Sequence, residues 1–249
     1  MSVLRISAVS YINAKPFVYG LQKSGLLNNF SLSLDVPSVC AEKLRSNEVD
    51  IGLAPVAIIP QLKEHHIISD YCIGASGAVR TVMLYSDVPL RNIRTVLLDP
   101  QSRTSALLVQ ILAKQWWKIS PAWSPAPEGY EKKIRAAQAG LIIGDRNFSL
   151  SGKFKYAYDL AEEWKLFTGL PFVFACWISN KKIQEDILSS FSAALKFGLD
   201  NRDKVIGDCT ALADEKTVND YLHNCISYHF DRAKHEAMKL FVKLAGERA

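Results

Sequence analysis

Four short segments hold the residues whose types and spacing could do chemistry. Each lies where a strand-like run gives way to a loop or helix, the place where ligands collect in α/β proteins. The first is Ser10-Tyr11-Ile12-Asn13-Ala14-Lys15-Pro16. Asn13 offers an amide in any protonation state, and Pro16 suits a first helical turn. Helix capping is the competing role for Asn13. The second is Gly74-Ala75-Ser76-Gly77-Ala78-Val79-Arg80, where two glycines around Ser76 let backbone N–H groups approach a ligand closely. It has no G-x-S-x-G frame and no adjacent histidine, so Ser76 reads as a hydrogen-bond donor rather than a nucleophile. Arg80 is either a cleft cation or half of a structural ion pair.

The third segment, Leu97 to Ser105, ends a strand at Asp99-Pro100 and opens a helix with Ser102, Arg103, Thr104 and Ser105. Free N–H groups, the helix dipole, three hydroxyls and a guanidinium together make a carboxylate or phosphate site. An ordinary Ser/Thr cap is the plainer alternative. No P-loop lysine pattern is present, which disfavours a nucleoside triphosphate. The fourth is Ile143-Gly144-Asp145-Arg146-Asn147-Phe148. There Asp145 could orient a hydroxyl, exchange a proton or cap the next turn, with Asn147 beside it.

The elements that must position these segments alternate between strand and helix, which argues for an α/β fold. Strands are predicted near Leu4–Val9, Ser31–Val36, Asp50–Ala54, twice within Ile67–Ser86, at Thr95–Leu98, around Trp123, at Gly140–Ile143 and at Gly169–Ile178. Helices are predicted at Lys15–Lys23, Val39–Ser46, Val56–Lys63, Thr104–Trp117 and Glu131–Gln138. Two amphipathic helices follow, with Asn180 and Asp231 as their N-caps. The stretches AEKLRSNEVDIGLAP (41–55) and EKKIRAAQAGLIIGD (131–145) echo each other as basic helix, turn and buried strand. That echo predicts two similar lobes: 1–86 with 179–249, and 87–178. The lobes would join near Tyr85–Leu90 and Cys176–Asn180, with a hinge there and a ligand in the cleft between them.

The chain has 249 residues, 49% hydrophobic and 22% charged, which excludes intrinsic disorder. Thirty Lys+Arg against 25 Asp+Glu leave +5, scattered rather than clustered. A small anionic ligand suits that balance better than nucleic acid. No apolar run approaches the roughly 18 residues of a membrane span, and no signal-peptide pattern opens the chain, so a cytoplasmic location is expected. Cys40, Cys72, Cys176, Cys209 and Cys225 are odd in number and lack a C-x-x-C pair, as buried free thiols would. His65-His66 would point to opposite faces of a strand, and His223, His229 and His235 recur every six residues, so no metal site is predicted.

Taken together, SYINAKPF, SGAVRTVMLYS, LDPQSRTSALL, LIIGDRNF and DLAEEWKLFTGLPFVFACW resemble the chorismate dehydratase family, which opens the futalosine route to menaquinone. The resemblance runs through most of residues 1–180. Ala14-Lys15 departs from the family's loop. The SPCPNDTF-like opening of the sister dihydroxynaphthoate synthases is absent. The resemblance implies a type II periplasmic-binding-protein fold used as a cytoplasmic enzyme without a cofactor, dehydrating chorismate to 3-[(1-carboxyvinyl)oxy]benzoate. It further implies that Asn13 and Ser76 contact substrate and that Ser102, Arg103 and Thr104 hold a carboxylate. Arg80 and Asn147 are further binding candidates, and the proton acceptor is Asp145 or the substrate itself. The reading from another class is a non-catalytic solute-binding protein for a small anion. A ligand-sensing regulator would need a helix-turn-helix that the N-terminus lacks. Oligomeric state is not predicted.

Overall fold

Pro16 in the first turn and Asp231 as a cap fall as expected, while Asp159 as a cap and Gly169 as a stop bound a helix that the sequence reading did not contain. In the computed structural model, residues 3–26 and 28–247 are described; residues 1, 2, 27, 248 and 249 of the expected first lobe lie outside them. The chain runs β1 (Leu4–Val9), α1 (Lys15–Lys23), β2 (Phe30–Asp35), α2 (Pro37–Arg45) and β3 (Ile51–Pro55). A 3-10 segment, Val56–Gln61, leads to β4 (His66–Ala75) and β5 (Val82–Ser86). Then come β6 (Thr95–Leu98), α3 (Thr104–Ile111), β7 (Ala122–Pro125), β8 (Gln138–Ile143), β9 (Tyr156–Asp159) and α4 (Leu160–Thr168). The last part holds β10 (Phe172–Ser179), α5 (Glu185–Asp200), α6 (Glu215–Asp220), β11 (Ser227–His229) and α7 (Arg232–Gly246). Asp159 accepts from the Ala161 and Glu162 amides to start α4, and Gly169 at φ 75 ends it. Asp231 caps α7 as predicted, accepting from Lys234 N–H.

The strands form two sheets, in the orders β11-β4-β10-β3-β1-β2 and β7-β6-β8-β5-β9. In the first, β2 and β3 run parallel to β1 while β10 returns antiparallel between β3 and β4. In the second, β6 is parallel to both β7 and β8, and β5 is antiparallel to β8 and β9. This corrects the expected lobe boundaries. β5 pairs with β8 and β9, so residues 82–86 belong with the second sheet rather than the 1–86 lobe. β10 pairs with β3 and β4, so 172–178 belong with the first sheet. The crossings therefore fall at residues 76–81 and 169–171. Covered on both faces, β10 is buried at every position, and this explains its unbroken apolar run.

Other expectations shift for local reasons. Glu131–Gln138 is not an α-helix: a 3-10 turn spans Tyr130–Lys133, and Ala136 at φ 51 lies outside helical geometry. The internal echo is therefore not an echo of structure. Thr104–Trp117 is α-helical only to Ile111 and then widens into a π turn, with the Trp116 and Trp117 indoles both donating to Glu163. Asn180 does not cap α5, which starts five residues later. Its amide instead donates to the Leu44 and Val49 carbonyls and ties β10 to the α2–β3 turn. One continuous apolar core runs through both sheets, with a smaller cluster around Tyr85, Tyr130 and Ile142.

Candidate functional site

The C-terminal ends of parallel strands β1, β3 and β8, and the turn after β6, converge on one space between the sheets. It is a cavity open to one side, with an empty space of about 550 Å³ that includes the solvent at its mouth. Val9, Tyr11 and Asn13 come from β1 and its loop, Thr81 and Val82 from the first crossing and β5, and Ser102, Thr104 and Ser105 from the opening of α3. Ile143, Gly144, Phe174 and Ala175 close it from β8 and β10. Among the described residues, no charged side chain lines it. Its polarity comes from hydroxyls, the Asn13 amide and the first turn of α3, whose dipole points its positive end at the cavity.

Three predicted residues meet here. Asn13 donates from Nδ2 to the Tyr221 hydroxyl at 3.2 Å, and its backbone carbonyl accepts from Tyr228 at 3.0 Å. Asn13 Oδ1 is buried without a partner. Ser102 Oγ accepts from Ser105 N–H at 3.0 Å and so holds the first turn of α3. Thr104 Oγ1 donates to the Phe174 carbonyl at 3.2 Å and accepts from Ala57 N–H at 3.3 Å. Its hydroxyl thus ties α3 to the first sheet, where the sequence suggested a free anion donor.

The other five lie outside the residues lining this cavity. Ser76 is exposed just past β4. Arg80, at φ 63, reaches outward to Asp220, and its own N–H donates to Asp159. Arg103 is held by Glu42 and Gln61. Both arginines are therefore members of ion pairs rather than cations of the cavity wall. Asn147 donates to the carbonyls of Thr81, Ile142 and Gly144, which fixes the turn after β8. Asp145 accepts from Ile12 N–H at 3.1 and 3.2 Å through its two oxygens. Burial pushes its carboxyl up to about 6, against the opposing pull of that N–H and of the Lys15 charge.

Tyr11, Thr81 and Tyr221 complete the site and were missed in the sequence reading. Tyr11 donates to Gln101 at 2.5 Å across the cavity, and burial raises its phenol. Gly144 makes that approach possible. It adopts φ 76, and a Cβ there would lie 2.7 Å from the Tyr11 ring. Tyr11 and Thr81 stood inside the quoted segments, but Tyr221 arrives from a distant turn after α6 and carries no sequence signal. Among the described residues, no group of three His, Cys, Asp or Glu side chains is placed to hold a metal. No helix among them is long and apolar enough to cross a membrane.

A family model described as menaquinone biosynthesis matches residues 4–247. The chain belongs to that family. This menaquinone biosynthesis family member is 28% identical over 246 residues to a chorismate dehydratase of Campylobacter jejuni, covering 94% of each chain. It is also 28% identical over 193 residues to a chorismate dehydratase of Thermus thermophilus, covering 69% of this chain and 68% of that one. Among solved structures, a protein of Archaeoglobus fulgidus superimposes with a TM-score of 0.74 at 13% identity, covering 98% and 97% of the two chains. A Candida albicans protein described as having the generic periplasmic binding protein fold gives a TM-score of 0.63 at 12% identity, with 99% and 91% covered. The family member therefore has the two-sheet α/β fold of periplasmic binding proteins, with its cavity between the sheets.

Proposed function

We propose that the protein is a chorismate dehydratase, converting chorismate to 3-[(1-carboxyvinyl)oxy]benzoate and water, and acts in the cytoplasm in the futalosine route to menaquinone. The observation that carries this reading is likeness over nearly the whole length, 94% of both chains, to a chorismate dehydratase. The cavity is compatible with it. Ser102 and the first-turn amides of α3 would hold the dianion by hydrogen bonds and the helix dipole, with Asn13 and Thr104 lining the same space. Arg103 would add its field from outside the wall. Ser76, exposed past the end of β4, does not line this cavity and takes no part in this reading.

Elimination takes a proton from the ether-bearing ring carbon and hydroxide from its neighbour. The C–H electron pair enters the ring as the C–O bond breaks, and the ring becomes aromatic. The proton acceptor must lie within hydrogen-bonding reach. Asp99 and Asp145 are the carboxylates of the four segments: Asp99 is held by Arg146, Tyr130 and the Ile143 amide, the two oxygens of Asp145 face Ile12 N–H, and neither lines the cavity. The enolpyruvyl carboxylate, attached through the ether to the same carbon, is therefore the base. It takes the proton and passes it to the departing hydroxide. The cavity's part is to hold one reactive conformation and exclude water. Purified protein incubated with chorismate should bleach the diene absorbance and yield a product lighter by one water. Binding without that mass loss would overturn the enzymatic reading and leave a solute-binding protein.

A further inference from the structure

A buried carbonyl oxygen without a partner is uncommon in a folded protein. Asn13 Oδ1 is such an atom, on a residue that lines the cavity. The cause lies at the other end of the amide. Nδ2 is engaged by the hydroxyl of Tyr221, which also contacts Thr81 Oγ1 at 2.8 Å. Tyr221 is 1% exposed, and its ring packs edge-on against Phe148 with centroids 5.1 Å apart, so the phenol is fixed in place. The backbone on the near side is fixed as well, through Tyr228 at the Asn13 carbonyl and Asp145 at Ile12 N–H. Thr81 Oγ1 donates to the Val79 carbonyl at 3.5 Å, so the phenol gives its proton to Thr81 and its oxygen accepts from Asn13 Nδ2; a turned amide would set Oδ1 against that oxygen.

We infer that Tyr221 is a positioning residue that fixes the polarity of Asn13, so that Asn13 presents an acceptor to substrate and recognises the ring hydroxyl that is to leave. This rests on the dehydratase reading, and chorismate's ring hydroxyl is the donor whose loss the reaction requires. The carboxylates have no proton to offer this oxygen, so they are directed to the hydroxyls and amides at the start of α3. Two ends of one substrate are thus sorted by hydrogen-bond polarity. Tyr221 touches no substrate; it acts through the amide.

The test uses two ring-saturated analogues of chorismate, which cannot aromatise. One keeps the ring hydroxyl and the other has hydrogen in its place. Their inhibition constants are measured against chorismate turnover for the wild type and for Tyr221→Phe, which removes one oxygen and keeps the ring. The wild type should prefer the hydroxylated analogue by about tenfold or more, since its loss leaves a buried acceptor unpaired. In Tyr221→Phe that preference should shrink to within about threefold of unity, with kcat falling more than KM rises. A purely structural role would weaken both analogues alike, and an undiminished preference overturns the inference. Should Tyr221→Phe fail to fold, Thr81→Val frees the phenol from its second partner and is judged by the same ratio. Absence of chorismate turnover in the wild type would instead sink the function on which this rests.

Discussion

Asp145 illustrates how side-chain direction, which spacing does not encode, decides a residue's role. It sits at the strand end where the sequence placed it, yet its carboxylate faces the Ile12 amide. Its carboxyl is raised by burial from the ordinary value of 3.8 to about 6. Between those values the folded chain keeps a proton that the unfolded chain has released, so this group's contribution to stability falls as pH rises from about 4 to about 6 and is level above. Asp145→Asn cannot ionise. Relative to the wild type it should therefore gain about 1–3 kcal/mol of unfolding free energy across that window, measured by denaturant melts at pH 4 and pH 7. A difference that does not change with pH would show that the carboxylate is not buried as described. Activity should drop by less than about 100-fold, below the upper range for losing a general base. Asn13, Ser102 and Thr104 were legible because strand ends and helix starts are visible in sequence. The outward courses of Arg80 and Arg103 were not, since their partners Asp220 and Glu42 lie 140 and 61 residues away.

Elements reach the site through close contacts of backbone. Helix α1 follows the Asn13 loop directly and lies against α5 at paired glycines. A Cβ on Gly198 would fall 2.0 Å from the Pro16 carbonyl oxygen, and one on Gly20 would fall 2.1 Å from that of Ala194. Since backbone rather than a flexible side chain is in the way, the helices must separate. Gly198→Ala should destabilise the protein by at least about 1–3 kcal/mol, as overpacking does, and lower turnover because α1 anchors the Asn13 loop. Thermal unfolding with a parallel activity assay checks both; an unchanged melting temperature would mean that the contact is looser than described. The start of α1 was read from Pro16 in its first turn. Strands β9 (YAYD) and β11 (SYH) went unread because they lack the unbroken apolar run that marked β6 (TVLL) at similar length. The chain's return through β10 was visible as an apolar run, but which sheet it joined depended on pairing with β3 and β4.

Across the whole molecule, two sheets enclose a cavity whose lining is uncharged among the described residues, while the nearby arginines are held in ion pairs. Burying a dianion against such a wall needs hydrogen bonds at each oxygen. It also leaves the substrate as the bearer of the only carboxylates in contact with the reacting ring. The α/β class was legible from alternating patterns; the two lobes were read from a sequence echo that the structure does not repeat. The positions of the crossings were not legible, because they depend on the pairing of β5 with β8 and β9 and of β10 with β3 and β4. The most direct test of the account is turnover of a chorismate analogue that keeps the ring, hydroxyl and ether but lacks the side-chain carboxylate. Binding of that analogue as a competitive inhibitor, with no dehydration product, is the predicted result; dehydration at a rate near that of chorismate would contradict the account.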